Sequence, residues 1–137
     1  MLHVIDATAI ADDALHGLVA ALATHDPDEV LDVFTREGAV FGSDVGEEAV
    51  GRAALRAFFT EICARPDTIS WTWEIRTAGH LGDVVWFVAS GTCVFTRTDG
   101  STVTAADPYR LSGVLRRTQG RWLFALFNGS VPDEPES

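Results

Sequence analysis

Ile69-Ser70-Trp71-Thr72-Trp73-Glu74-Ile75-Arg76 reads ISWTWEIR. Apolar and polar residues alternate strictly, the period-2 signature of a strand with one buried and one wet face. The chain before it keeps a different period. Leu15, Leu18, Val19 and Leu22 recur at i, i+3, i+4 and i+7 and predict a helix over 8–24. Asp26-Pro27-Asp28-Glu29 predicts the start of a second. Asp26 suits the cap, Pro27 the first position, where a missing N–H costs nothing, and Glu29 completes a capping box. This helix is expected to carry Val30, Leu31 and Phe34 and to stop near Gly38, before a brief strand at 39–41. Leu55, Phe58, Phe59 and Ile62 mark a third helix over about 52–65, ended by Pro66.

After ISWTWEIR everything reads as strand. Val84, Trp86 and Val88 share one face of the next run, and Val85, Phe87, Ala89, Cys93 and Phe95 the other. Asp99-Gly100 is a hairpin signal. A third strand over about 102–117 is interrupted by Pro108, which belongs at a bulge or an edge. Gln119-Gly120 turns the chain into a last strand over 121–130. Helices followed by an antiparallel meander give an α+β fold, with about three N-terminal helices packed on one face of a bent antiparallel sheet. Two strands are apolar on both faces, and the helices can cover only one. A second copy of the chain is the simplest cover for the other, so a homodimer through the outer sheet face is expected.

A length of 137 residues suits a single domain, assigned here to 1–131, with Pro132 opening a flexible acidic tail, PDEPES, over 132–137. Hydrophobic content of 47% and charged content of 22% are ordinary for a soluble protein. The net charge of −10 argues against nucleic acid and anionic membranes as partners. No apolar run reaches the roughly 18 residues that span a bilayer, and the first residues are acidic where a secretory signal is basic. A cytoplasmic location is expected. All ten basic residues are Arg, which suggests a GC-rich bacterial gene. Cys63 and Cys93 fall in apolar patterns and are expected as buried free thiols. His3, His16, His25 and His80 form no H-x-x-H or H-E-x-x-H, and neither a P-loop nor G-x-G-x-x-G occurs. No metal and no cofactor are expected.

The stretch Gly42-Ser43-Asp44-Val45-Gly46 imitates a nucleophile elbow with Asp in place of Ser. An elbow joins a strand directly to a helix in a parallel α/β sheet. Here the helix waits until about Gly51 and no βαβ repeat exists, so that reading fails. Asp44 is left as a solvated turn residue, as a ligand contact, or as a base whose pKa an apolar setting would raise. Tyr109, the only tyrosine, is either a structural residue bridging core and rim or a donor to a ligand oxygen. Trp71 and Trp73 are core residues or an aromatic ligand wall. Arg110 and Asn128 are strand-surface residues or ligand contacts, and Phe41 stands beside the same turn.

The segments DPDEVLDVF at 26–34, EGAVF at 37–41, GRAALRAFF at 51–59, PYRLSGVL at 108–115 and GRWL at 120–123 resemble the nuclear transport factor 2-like superfamily, most closely its SnoaL-like domains. The resemblance covers about 8–131 and implies a cone-shaped sheet with a pocket at its open end. Members include ketosteroid isomerases, polyketide cyclases, epoxide hydrolases and dehydratases, and also non-catalytic association modules. It implies that Asp44 lies near the pocket mouth, where such isomerases and cyclases place an acid/base Asp. The expected function is binding of a hydrophobic small molecule, with cofactor-free proton transfer by Asp44 and Tyr109, or a non-catalytic binding or dimerisation role. The expected ligand contacts are Phe41, Trp71, Trp73, Arg110 and Asn128.

Overall fold

Asp6 opens the first helix, α1 (Ala7–Ala23), by accepting the Ala9 N–H on its side chain at 3.0 Å. The computed structural model describes residues 4–132; the expected tail beyond Pro132 lies outside the described residues. Asp26 caps α2 (Pro27–Leu31) through the Asp28 N–H, with Pro27 in the first turn as expected. The Glu29 half of the capping box is replaced by Thr24, whose hydroxyl takes the Asp26 N–H at 3.1 Å.

The second helix does not run to Gly38. It ends at Leu31, and Phe34 already begins β1 (Phe34–Phe41). Long-range contacts override the local pattern here. Phe124 N–H donates to the Val33 carbonyl at 2.9 Å, and the Arg52 guanidinium donates to the Leu31 and Phe34 carbonyls at 2.8 and 3.2 Å. Phe34 is thereby held between Phe59 and Phe124, at centroid distances of 5.3 and 5.5 Å. A three-residue strand, β2 (Glu48–Val50), pairs back onto β1 and is too short to leave a periodic trace in the sequence. Helix α3 (Arg52–Ala64) follows, and Arg65 turns extended ahead of Pro66.

The remaining strands are β3 (Thr68–Leu81), β4 (Val84–Thr96), β5 (Thr102–Thr118) and β6 (Arg121–Ser130). They form the expected antiparallel meander. Among the described residues the sheet has six strands in the order β2-β1-β6-β5-β4-β3 and is mixed, because β6 returns beside β1 in the same direction. It is curved and unclosed, an α+β arrangement with three helices among the described residues. Bulges supply bends in such sheets. The one at Pro108 is where the sequence places it: Gly91 pairs Tyr109 while Cys93 pairs Ala106, so β5 holds an extra residue there.

Alternation sorts the sheet into two faces. Val85, Phe87, Ala89, Leu111, Leu115, Phe124 and Phe127 are buried beneath Ala11, Leu15, Leu18 and Leu22 of α1 and Leu55 and Phe59 of α3. Full burial of one such side chain contributes about 1.5–3 kcal/mol. On the opposite face one row crosses five strands: Trp86, Val114, Leu126, Ala39 and Val50. Trp86 is 44% and Val50 64% exposed, so this face is apolar and uncovered in the single chain. Cys63 and Cys93 are buried free thiols. Among the described residues no helix is long and apolar enough to cross a membrane.

Candidate functional site

Between the inner sheet face and the helices lies a cavity of about 350 Å³. Leu18 and Leu22 of α1 and Phe58, Phe59 and Ile62 of α3 form one side, and Trp71, Cys93, Tyr109 and Phe127 of the sheet form another. Trp71 and Phe127 meet with tilted rings at 5.3 Å between centroids, extending the aromatic core to the cavity wall. The β5 bulge decides part of this lining. Neighbouring residues Ala105 and Ala106 both reach the cavity, which strict alternation would forbid.

The polar end comes from the loop joining β1 to β2. Gly42 N–H bonds the Glu47 carbonyl at 2.6 Å, and Glu47 N–H bonds the Asp44 carbonyl at 3.1 Å. Gly46 holds φ at +87°, a conformation suited to glycine. Ser43, Asp44 and Glu47 all line the cavity from this loop. The Asp44 side is exposed, whereas Glu47 is half-buried. Glu47 folds back over Gly42: a Cβ on Gly42 would stand 2.8 Å from the Glu47 Cβ. Its Oε1 accepts the Asp44 N–H at 2.8 Å, which pins the carboxylate at the cavity mouth.

Tyr109 is only 6% exposed. Its phenol is raised above its ordinary pKa by burial first, with the charge of Glu47 among the lesser causes and Ser43 and Trp71 offsetting part of the rise. Burial likewise raises the Cys93 thiol, again with Trp71 opposing and Glu47 reinforcing. Both groups therefore stay protonated at neutral pH. The Trp71 Nε1–H is buried and meets no acceptor among the described residues. The cavity thus offers apolar walls, a protonated phenol and two carboxylates at one end.

Of the residues expected at a site, Asp44, Trp71 and Tyr109 line this cavity and four do not. Trp73 packs on α1, donating from Nε1 to Asp12 at 2.9 Å and meeting the tilted ring of His16 at 4.7 Å between centroids. Phe41 lies 37% exposed, one residue past the cavity-lining Val40. Arg110 is exposed, pairing across the sheet with Ser130. Asn128 is on the outer face with Ser112, whose Oγ accepts from its amide at 3.3 Å. Sequence reading passed over Glu47 and Ser43. The available signal was the pair of glycines, 42 and 46, which closes a loop tight enough to turn both side chains toward the cavity.

The SnoaL-like domain model matches residues 11–134. No curated protein matches the chain. Among solved structures it resembles a candidate aromatic ring hydroxylase from Novosphingobium aromaticivorans, at 25% identity and a TM-score of 0.74, over 97% of this chain and 94% of that one. It also resembles a candidate dehydratase of the NTF2-like family from Streptomyces avermitilis, at 16% identity and TM-score 0.72, over 93% and 96%. A candidate calcium/calmodulin-dependent protein kinase II association domain from Xanthomonas campestris superposes at 19% identity and TM-score 0.72, over 98% and 100%. The last two likenesses concern fold alone. With the family model spanning residues 11–134, nearly the whole chain, the protein belongs to the SnoaL-like domain family.

Proposed function

We propose that the protein binds a hydrophobic small molecule in the inner cavity and transfers a proton on it without a cofactor. Tyr109 donates to a ligand oxygen, and Asp44 at the mouth takes the proton from the neighbouring carbon. The observation that carries this reading is the cavity itself, whose volume of about 350 Å³ falls in the roughly 300–1,000 Å³ range of ligand pockets. Its apolar walls would hold the body of the ligand, and its polar groups are gathered at one end, where a reacting centre would be held. A phenol kept protonated by burial suits an oxyanion donor, worth about 10²–10³ in rate for such groups.

The test uses 2-tetralone, an apolar ketone with exchangeable protons next to its carbonyl. Wild-type protein is expected to accelerate exchange of those protons for deuterium, followed by NMR. Asp44→Asn and Tyr109→Phe should each slow the exchange at least about 100-fold. A ketone that binds but exchanges no faster than in buffer would leave a binding protein without this chemistry.

A second reading, association through the outer sheet face, is favoured by the exposed apolar row from Trp86 to Val50. Light scattering of wild type against Trp86→Glu tests it: a dimer is expected to become a monomer, and a monomeric wild type rejects the interface.

A further inference from the structure

The chemistry of the cavity mouth limits which ligands can enter. Asp44 and Glu47 both line it, and among the described residues no Arg or His does. Among the described residues neither carboxylate is paired with a basic side chain; the six ion pairs lie elsewhere. Glu47 spends one oxygen on the Asp44 N–H, and its Oε2 has no partner among the described residues. Its charge is felt inside the cavity, since it acts on both Tyr109 and Cys93. The chain's net charge of −10 adds a field of the same sign.

Behind the carboxylates the walls carry the rings of Phe58, Phe59, Trp71, Phe95, Tyr109 and Phe127. Aromatic faces attract cations through the ring quadrupole. An anion entering here would meet two like charges and no basic partner. A neutral molecule would gain from apolar burial and a hydrogen bond from Tyr109, but nothing from the two carboxylates. A molecule with an apolar body and a positive head gains from both ends of the cavity.

We infer that the ligand class of this cavity is the hydrophobic amine, with its apolar body among the aromatic walls and its ammonium group at the mouth between Asp44 and Glu47. This inference rests on the reading of the cavity as a ligand site and deepens it by naming the charge of what enters. Proton transfer to Asp44 is then from a carbon next to a carbonyl on the same skeleton, as in an aminoketone.

The experiment compares three probes of one shape at neutral pH by calorimetric titration: 2-aminotetralin as the ammonium, 2-tetralol as the neutral form and tetralin-2-carboxylate as the anion. The ammonium is expected to bind about three- to thirty-fold more tightly than the alcohol at low salt, and the anion more weakly than either. The preference should shrink in high salt, because the mouth is partly exposed. Glu47→Gln and Asp44→Asn should each reduce the ammonium's advantage over 2-tetralol. Circular dichroism matching wild type confirms that each variant is folded. Equal binding of alcohol and ammonium, or a carboxylate that binds as well as either, overturns the amine assignment and leaves the cavity reading standing. If none of the three binds, the cavity reading fails and takes the amine assignment with it.

Discussion

Gly129→Ala is the sharpest perturbation of the candidate site that removes none of its polar groups. Gly129 lies on β6 under the Tyr109 ring, and a Cβ added there would overlap the Tyr109 hydroxyl and stand 2.9 Å from Cζ and 3.1 Å from Cε1. Tyr109 is 6% exposed, so its ring has little room to retreat except toward the cavity. Overpacking of this kind costs about 1–3 kcal/mol. At about 2.1 cal/mol/K of unfolding entropy per residue, the melting temperature of a chain this long should fall by roughly 3–10 °C. Because Tyr109 is the only tyrosine, phenolate absorbance reports on it alone. Displacement toward the cavity should bring its raised pKa back toward the ordinary value of 10.0. Removing the hydroxyl removes the worst overlap. The cost of Gly129→Ala measured in a Tyr109→Phe background should therefore be smaller by about 1 kcal/mol, the coupling expected of residues in direct contact. An equal cost in both backgrounds, with the phenol titrating unchanged, would refute the placement of Tyr109 over Gly129 and with it the proposed donor geometry.

Stability should decline in alkali. Cys63, Cys93 and Tyr109 all have raised native pKa values, with burial as the first cause. The unfolded chain releases these protons first, from ordinary values of 9.0 for the thiols and 10.0 for the phenol. The native state then holds more protons than the unfolded state, so stability is full below about pH 9 and falls above it. Urea midpoints that stay level from pH 8 to about pH 11 would contradict this. Both thiols should be unreactive toward Ellman's reagent in the native protein and react fully in denaturant; rapid reaction of either in the folded state would place it at the surface. Arg52→Met should cost about 1–2 kcal/mol in urea denaturation, since its guanidinium closes the α2–β1 junction through two backbone carbonyls. A change within about 0.5 kcal/mol would assign that junction to the phenylalanine packing alone.

Much of the architecture was legible in the chain. The repeat of Leu15, Leu18 and Leu22, the cap at Asp26, the stop at Pro66 and the alternation of ISWTWEIR are local signals. Each acts over a few residues, so each can be read without knowing the rest of the fold. The β5 bulge was legible for the same reason, because a proline cannot donate to a ladder wherever it sits. The run from Val33 to Phe34 misled because helix and strand periods coincide over so few residues, and the contest was settled by Phe124 and Arg52, both distant in sequence.

The site was less legible than the fold. Asp44, Trp71 and Tyr109 reach the cavity, but so does Glu47, and Trp73 leaves it for Asp12. Alternation tells which residues share a face without telling which part of that face the helices cover and which part they leave hollow. That division depends on where α1 and α3 come to rest on the sheet and on the register shifts that bend it. Glu47 turns inward because Gly42 leaves space above its backbone, a contact that exists only once the β1–β2 loop has closed. Periodicity and capping are properties of neighbouring residues and survive in the bare sequence. A cavity is space left between segments far apart in the chain, and it comes into being only when they pack.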